Sequence, residues 1–294
     1  ASQLPTLGGS ALEVVGDNFG PGSTFATMSV RSGTDPSVVL PQMNCTVLSH
    51  STMSCVAPEG VGGALMWQAL IGGQRSEWFA AGEYAAPSLA SARVVSESGT
   101  MPTWGGVVVQ LFGDNLGTGQ SVRARYGPTG SEYEAQSCRV VSAHAQVECV
   151  SVPGVGGALA WTVSVGGQNS SVSGGARTSY TAPVLQSVTI LGATELVTEG
   201  GQTVLLRGSQ LGPLGSAVQA QYGRVEQGPS RQLWAQSCVV DVAHSQVRCQ
   251  SAAGTGVGHT WEVLVGGQSS NRTEQTTKYA APIVTSYTGI GAVG

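Results

Sequence analysis

Charged side chains are scarce in this sequence, and lysine is almost absent from it. Only 10% of the 294 residues are charged, Lys278 is the single lysine, and the net charge is −4. A protein that binds a nucleic acid needs a cluster of lysines or arginines to neutralise the phosphates, and no such cluster occurs here. We therefore expect no nucleic-acid partner.

Long apolar runs are also missing. No stretch approaches the roughly 20 apolar residues that a bilayer-spanning helix needs. The opening residues "ASQLPTLGGS" have neither the positive charge nor the apolar run of a secretory signal. We expect contact with a membrane only through other parts of a full-length chain.

Catalytic signatures are a third absence. The sequence has no G-x-x-x-x-G-K phosphate loop, no G-x-S-x-G nucleophile motif and no H-E-x-x-H zinc motif. It has four histidines, three of which recur at one position of a repeat, so no Ser-His-Asp set stands out. We predict that this segment is not an enzyme and that it uses no cofactor and no metal.

The sequence does contain a unit that recurs three times. In each unit a tryptophan follows the second of two cysteines by twelve residues, and a histidine precedes that cysteine by five. The motif "GGQ" follows the tryptophan, and a tyrosine shortly before a proline closes the unit. These positions are Cys55, Cys149 and Cys249; Trp67, Trp161 and Trp261; His50, His144 and His244; Gln74, Gln168 and Gln268; and Tyr84, Tyr180 and Tyr279. A repeat of about 95 to 100 residues is the size of a small β domain.

The repeat sets the domain boundaries. We predict domain 1 at 1–86, domain 2 at 87–182, domain 3 at 183–281 and the start of a fourth repeat at 282–294. The second and third units begin with a strand-like segment after the proline, and the first lacks most of it. We therefore expect the N-terminal strand of domain 1 to be truncated and the chain to belong to a longer tandem array. The alternative is ragged natural termini.

Alternation of apolar and polar residues indicates strands throughout. In "ALAWTVSV" the side chains of Trp161 and Val163 share one face, and those of Thr162 and Ser164 share the other. That period of two is typical of a half-buried strand. Short strands and glycine-rich turns predict an all-β fold of three tandem immunoglobulin-like β-sandwiches, end to end, each with its repeated tryptophan in the core.

The stretch "CRVVSAHAQVEC" at 138–149 allows three interpretations: a metal site, a reactive thiol pair or a cross-linked hairpin. In an antiparallel hairpin with Cys138 opposite Cys149, His144 lies at the tip, roughly 15 Å from the cysteines. One zinc ion needs ligands within about 2.3 Å, and a redox pair usually has the spacing C-x-x-C. Facing cysteines lie within disulfide range. We therefore predict three structural disulfides, Cys45–Cys55, Cys138–Cys149 and Cys238–Cys249.

The order of the motifs resembles a known family. "GDNFG" or "GDNLG" after an apolar strand, then "YG", then two cysteines and a closing "AP", resembles the IPT/TIG domain of plexins, scatter-factor receptors and fibrocystin-like surface proteins. The third unit departs from it at "GSQLG", and the first lacks the "YG". The resemblance covers the whole chain and implies immunoglobulin-like folds in a cell-surface protein. The single aspartate in each "GDN" loop is too few for calcium.

Several surface residues are candidates for modification or contact. Sequons for N-glycosylation occur at Asn44, Asn169 and Asn271. The aromatic residues that the repeats do not share are candidate partner contacts, and for each the alternative is local packing. They are Trp78, Phe79, Trp104 and Trp234.

Paired cysteines and sequons predict an extracellular or cell-surface location. The expected function is a non-catalytic rod segment for adhesion or structural projection, with a protein partner on a cell surface or in an extracellular assembly. One alternative is a receptor ectodomain segment that binds a protein ligand. Another is a carbohydrate-binding accessory of a secreted enzyme.

Overall fold

The computed structural model of the chain describes residues 3–35, 37–119, 122–172, 174–224 and 232–286. Within these ranges all named elements of secondary structure are β-strands. We call residues 1–86, 87–182 and 183–281 repeats 1, 2 and 3. Residues 282–286 form no strand, and the remainder of the fourth repeat expected at 282–294 lies outside the described residues.

The strands follow the alternating pattern of the sequence. Repeat 1 contains β1 (Gln3–Leu4), β2 (Ala11–Val15), β3 (Phe25–Arg31), β4 (Met43–Ser49), β5 (Thr52–Val56), β6 (Met66–Ile71), β7 (Gln74–Arg75), β8 (Phe79–Ala80) and β9 (Glu83–Tyr84). Repeat 2 contains β10 (Ser88–Val94), β11 (Val108–Asp114), β12 (Val122–Gly127), β13 (Tyr133–Glu134), β14 (Gln136–Ser142), β15 (Gln146–Val150), β16 (Leu159–Val165), β17 (Gln168–Asn169) and β18 (Arg177–Thr178). Repeat 3 contains β19 (Val184–Ile190), β20 (Thr203–Ser209), β21 (Val218–Gly223), β22 (Leu233–Trp234), β23 (Gln236–Val242), β24 (Gln246–Gln250), β25 (Thr260–Val265) and β26 (Gln268–Ser269).

Repeat 2 consists of two antiparallel sheets. One has the order β10-β11-β15-β14, and the other has the order β13-β12-β16-β17 with β18 on β16. Repeat 3 has the same two sheets, β19-β20-β24-β23 and β22-β21-β25-β26. Two antiparallel sheets around one apolar core form an immunoglobulin-like β-sandwich. The predicted fold class, tandem immunoglobulin-like sandwiches, is confirmed.

The repeated tryptophan lies in the core, as predicted. Trp161 is fully buried and stacks on Tyr126, with ring centroids 4.2 Å apart. Its Nε1 donates a hydrogen bond to Thr178 Oγ1 at 2.8 Å, which satisfies the one polar atom that burial would leave without water. Trp261 and Tyr222 repeat the stack in repeat 3 at 3.9 Å.

Repeat 1 departs from the two-sheet pattern. Strand β3 pairs with β4 as well as with β6, so one sheet of seven strands forms in the order β2-β5-β4-β3-β6-β7, with β8 on β6. Val30 lies opposite Trp67, in the place that Tyr126 takes opposite Trp161 in repeat 2. Repeat 1 therefore has no tyrosine for the tryptophan stack, which agrees with the missing "YG" motif.

The chain divides into two compact units. The first contains Ala1–Val152 and Ala158–Ser179, and the second contains Pro153–Gly157 and Tyr180–Gly294. Repeat 1 and most of repeat 2 therefore belong to one unit. The second unit contains repeat 3 together with the segments at 153–157 and 180–182.

Candidate functional site: the junction of repeats 1 and 2

The cysteine hairpin of repeat 2 is formed by β14 and β15. Cys138 and Cys149 are bonded, and their Cα atoms lie 4.1 Å apart across the hairpin. A cross-link that closes a loop of this size stabilises a fold by about 2.8 kcal/mol in the chain-entropy treatment. The same bond occurs in the other repeats, between Cys45 and Cys55 and between Cys238 and Cys249.

The histidine lies at the tip of this hairpin. His144 has a φ of 59° in the turn between the two strands. Its backbone N–H donates to the Gly117 carbonyl at 2.7 Å, and its carbonyl accepts from the Leu116 N–H at 3.2 Å. The hairpin tip is thereby tied to the "GDNLG" loop after β11. In repeat 3 the backbone of His244 makes the same two bonds, to Gly212 and Leu211.

The side chain of His144 is buried, which the sequence did not indicate. It is 7% exposed, although a hairpin tip normally faces water. Its Nε2 lies 2.8 Å from Glu59 Oε1 of repeat 1, within the first unit. His50, at the same position of repeat 1, is exposed. The tip histidine of repeat 2 is therefore a contact between repeats.

The "GDN" loop supplies a second contact between the repeats. Asn115 has a φ of 61°, a backbone conformation that asparagine tolerates better than most residues. Its Oδ1 accepts a hydrogen bond from Thr6 Oγ1 at 2.8 Å, and its Nδ2 donates to the Ala86 carbonyl at 3.1 Å. The amide of this side chain therefore bridges two segments of repeat 1.

The "GGQ" turn supplies the third contact. Gln168 Nε2 donates to the carbonyl of Tyr84, the residue that closes repeat 1, at 3.0 Å. Thr34 Oγ1 donates to the Gly166 carbonyl at 2.9 Å. Gly166 has a φ of 56°, and a Cβ atom there would lie 2.9 Å from Val61 Cγ2. Glycine is required at this position by both its conformation and its close approach to repeat 1.

These contacts give three sequence motifs of repeat 2 a role at the junction. Three motifs of repeat 2 that are distant in sequence, the "GDN" loop, the histidine and the "GGQ" turn, all contact repeat 1 within the first unit. Each hydrogen bond contributes about 0.5–1.5 kcal/mol, and together they constrain the placement of one repeat on the other. The sequence predicted turns at these positions and did not predict that they meet the neighbouring repeat.

The second unit contains the same glutamine contact. Gln268 Nε2 donates to the Tyr180 carbonyl at 3.0 Å. Gly266 has a φ of 56°, as Gly166 has, and a Cβ atom there would lie 2.7 Å from the backbone nitrogen of Gly156. Two of the three "GGQ" motifs therefore bind the carbonyl of a repeat-closing tyrosine.

The three sequon asparagines have different surroundings. Asn44 is exposed on β4, next to the cross-linked Cys45, and Asn169 is exposed on β17. Asn271 uses its side-chain amide on the backbone of Leu185: Oδ1 accepts from the N–H at 2.8 Å, and Nδ2 donates to the carbonyl at 2.9 Å. Nδ2 also donates to the Arg272 carbonyl at 3.1 Å, so a glycan on this nitrogen would displace one of its two hydrogen bonds. Of Asn169 and Asn271, Asn169 is therefore the less constrained sequon.

The candidate contact aromatics differ in exposure. Trp104 and Trp234 are 54% and 53% exposed, and Phe79 is 41% exposed. Trp78 is half-buried, and the guanidinium carbon of Arg31 lies 4.3 Å from its ring centroid, within the range of a cation–π contact. Trp104 and Trp234 are therefore the better placed of the four for a partner.

A polar cavity of 460 Å³ lies on repeat 2. Its lining includes Arg123, Arg125, Thr129, Thr162 and Asn169. Near it, Glu132 accepts hydrogen bonds from the hydroxyl and N–H of Thr129, which lower the pKa of its carboxyl to about 2. None of the described lining residues is aromatic, so this cavity offers no stacking surface for a sugar ring.

In the part of the chain that the structure describes, histidines, cysteines and acidic residues form no cluster of three that could hold a metal ion. The same residues include no helix that is long and apolar enough to cross a membrane.

Comparison with known proteins gives distant structural similarities. No protein-family model matches the chain, and no curated protein sequence does. Among solved structures, the extracellular region of plexin A4 is 15% identical over 89% of this chain and 22% of the plexin chain, with a TM-score of 0.29. The Escherichia coli adhesin FdeC is 15% identical over 92% of this chain and 97% of the adhesin chain, with a TM-score of 0.27.

A third structure is a tetra-tandem repeat from the extending region of a large adhesion protein. It is 13% identical over 93% of this chain and 71% of the other, with a TM-score of 0.35. Two plexin structures are among the matches, and this chain spans about a fifth and a third of their respective lengths.

Proposed function

We propose that the chain is a non-catalytic, extracellular or cell-surface segment in which tandem immunoglobulin-like domains space or present a binding region for adhesion. The observation that carries this proposal is the junction of the first unit. There the repeated motif residues Asn115, His144 and Gln168 each bond to repeat 1. Of these residues, the glutamine recurs in all three repeats and bonds to a repeat-closing tyrosine in two of them, so this contact serves the array more than the single domain.

The location is supported by the cysteines. All six are in disulfides, and none is free. Structural disulfides persist in oxidising compartments and are rare in the cytosol. The same bonds make each hairpin resistant to local unfolding, which suits a segment outside the cell.

A rod is the form that this proposal requires. The closing Tyr84 and Pro87 leave almost no linker before β10, and proline restricts the backbone at this crossing. Small-angle scattering of the chain should give an elongated particle, and a compact particle would contradict the proposal. The double variant Asn115→Ala and Gln168→Ala should keep the fold of each repeat and broaden the distribution of particle lengths.

A receptor segment that binds a protein ligand is the second candidate. It is favoured by Trp104 and Trp234, two half-exposed tryptophans that the repeats do not share. Half-exposed tryptophans are common in the centre of protein interfaces. Labelling of these two indoles with and without a candidate cell surface would test it: protection of either one supports a receptor role, and unchanged labelling of both argues against it.

Carbohydrate binding has one local feature in its favour. Trp234 lies opposite Gln221 on β21 and lines a small depression with Gln219 and Glu262. An exposed indole beside amides and a carboxylate is a combination that can stack on and hydrogen-bond to a sugar. A glycan array with no bound ligand would exclude this alternative.

A further inference from the structure

The outer face of one sheet of repeat 2 carries two arginines. Arg123 and Arg125 lie on β12 with exposed side chains, and they pair in register with Ser164 and Thr162 on the neighbouring strand β16. The other repeats have uncharged residues at the same two register positions, Gln219 and Gln221 in repeat 3 and Thr27 and Ser29 in repeat 1. The fold therefore does not require positive charge here, and the two arginines are particular to repeat 2.

Both arginines line the polar cavity of 460 Å³ on repeat 2. A second cavity of 200 Å³ shares Arg123 and Ser164 with the first and is also lined by Thr34 and Asp35 of repeat 1. All these residues belong to the first unit. We call the two cavities together the polar groove. Ligand sites are common where two domains meet, and the polar groove lies at such a place.

Hydrogen bonds fix the walls of the polar groove on repeat 2. Glu132 accepts from the N–H of Thr129 at 3.1 Å, which holds the loop after β12 in one conformation. Thr162 Oγ1 donates to the Gly130 carbonyl at 2.8 Å and ties this loop to β16. On the opposite wall, Ser170 Oγ accepts from a backbone N–H of β16 at 3.0 Å. A groove with such fixed walls loses little conformational entropy when a ligand binds.

The guanidinium groups of the two arginines are available to a ligand. Among the residues that the structure describes, none forms an ion pair with Arg123. Arg125 Nη2 lies 3.2 Å from Glu134 Oε2, and both side chains are more than half exposed, at 57% and 54%. An exposed ion pair of this kind contributes little to stability, and a guanidinium has five N–H donors. An anion can therefore bind both arginines without breaking a buried contact.

The remaining groups of the polar groove fit the hydroxyls of a sugar. Ser164 and Asn169 can donate and accept hydrogen bonds, and the carboxylate of Asp35 can accept them. None of the described lining residues of either cavity is aromatic, so a neutral sugar ring finds no face on which to stack.

An acidic peptide is the other anion to consider. It matches the arginines but brings few hydroxyls, and its closely spaced carboxylates are repelled by Asp35 and Glu134. An acidic sugar carries one charge among several hydroxyls, which is the mixture of groups that the polar groove offers.

We propose that the polar groove binds an acidic carbohydrate. Arg123 and Arg125, whose Cα atoms are roughly 6.6 Å apart along the strand, bind its carboxylate or sulfate groups. Ser164, Asn169 and Asp35 form hydrogen bonds with its hydroxyls. A ligand that occupies both cavities contacts repeat 1 and repeat 2, so it also strengthens their junction.

The test is titration calorimetry at low ionic strength with four probes. They are a sulfated heparin oligosaccharide, a carboxylated polygalacturonate oligosaccharide, a neutral malto-oligosaccharide and a polyglutamate peptide. At least one acidic oligosaccharide should bind and the neutral one should not, and the two acidic probes distinguish sulfate from carboxylate. Binding of neither acidic oligosaccharide, or tighter binding of the peptide than of both, would overturn the proposal. The chain is taken from a bacterial periplasm, which forms disulfides and adds no N-glycan, because a glycan on Asn169 would compete for the groove.

The arginines are tested by a change that the fold already contains. The double variant Arg123→Gln and Arg125→Gln gives repeat 2 the residues of repeat 3, so it should fold, and it should weaken binding at least about tenfold. The matched control is Arg93→Gln with Arg139→Gln, which removes the same charge from the other sheet of repeat 2. The control should bind like the parent, and an equal loss in both double variants would contradict a site in the polar groove.

A variant without any change of charge tests the groove itself. Ser164→Leu fills the point that the two cavities share, and repeat 3 has Leu264 at this register position. It should weaken binding at least about tenfold, whereas Ser91→Leu, the same change at an exposed serine of the other sheet, should not. Trp234→Ala should also leave binding unchanged, because that indole lies in repeat 3. Full binding by Ser164→Leu would contradict the proposal.

This inference goes beyond the proposed function by adding a ligand, and the two fail separately. A chain that is elongated in scattering but binds neither acidic oligosaccharide would reject the carbohydrate site and leave the proposed function standing. A compact chain that binds one of them would do the reverse.

Discussion

Replacing His259 with leucine should stabilise repeat 3. His259 is 5% exposed and lies edge-on to Tyr222 and Tyr279, with ring centroids 5.9 and 5.5 Å away. The same position holds Leu65 in repeat 1 and Leu159 in repeat 2, and both leucines are 0% exposed. The core of this fold therefore accepts leucine at this position.

The gain can be worked out from the hydrogen bonds of the imidazole. His259 Nε2 lies 3.2 Å from the Thr255 carbonyl, which can only accept, so Nε2 carries the proton. Nδ1 is then a buried acceptor without a partner among the described residues. Such an atom costs about 1–3 kcal/mol, and the bond to Thr255 contributes about 0.5–1.5 kcal/mol. Thr255 is exposed and regains water, so we expect a net gain of about 1 kcal/mol at neutral pH.

The gain should increase in acid. Burial lowers the pKa of His259 below its usual value, and the charge of Arg224 adds to the effect, while the carbonyls of Thr255 and Gly256 oppose it. His259 therefore binds a proton more readily in the unfolded chain than in the folded repeat. The free energy of unfolding then falls as the pH drops below about 6.5. Leucine removes this loss. Burial also lowers the pKa of His244, so part of the pH dependence remains in the variant.

Urea unfolding at neutral and mildly acidic pH, read by hydrogen exchange on peptides of repeat 3, measures both effects. The reverse change Leu159→His is the matched control, and it should destabilise repeat 2 and give it a new pH dependence. A His259→Leu chain with an unchanged or lower midpoint at neutral pH and an unchanged slope with pH would refute the reasoning.

Three further predictions concern the junction and the surface. Gln168→Ala should lower the free energy of unfolding of the first unit by about 0.5–1.5 kcal/mol. Gln74→Ala, the matched change at an exposed residue, should leave it unchanged. Equal effects of the two variants in urea unfolding would contradict the role of Gln168 at the junction. Alkylation without a reductant should add no mass to the chain, and six added groups would contradict the oxidised state. After secretion from a eukaryotic host, peptide mapping should find a glycan on Asn169 and none on Asn271, because the Asn271 amide is bonded to Leu185; the opposite occupancy would contradict this.

Local patterns of the sequence were sufficient for the strands. The alternation in "ALAWTVSV" predicted that Trp161 and Val163 share a buried face, and both are at most 2% exposed. A strand places successive side chains on opposite faces, so a period of two carries this information in a few residues. The same period is less informative for small side chains: Ala160, which shares a face of β16 with Thr162 and Ser164, is 0% exposed.

Contacts between repeats could not be read from one repeat at a time. The three tip histidines have the same spacing in sequence, yet His144 is buried and His50 is exposed. His144 contacts Glu59, which is 85 residues away and belongs to another repeat. The pairing of β3 with β4 in repeat 1 is a similar case. This pairing joins two sets of strands into one sheet, and the sequence of either strand alone does not specify it.

The cross-linked hairpins also limit how far the chain can lengthen under load. When force on its two ends unfolds a repeat, the residues between its two cysteines cannot extend, because the disulfide connects the cysteines directly. The separation of 11 residues between Cys138 and Cys149 therefore removes roughly 36–40 Å from the length that the unfolded chain can reach. A similar length is withheld in each of the other two repeats, so the oxidised chain reaches its full extension sooner than the reduced chain. Each cysteine pair therefore limits the extension of the chain under force as well as stabilising the fold.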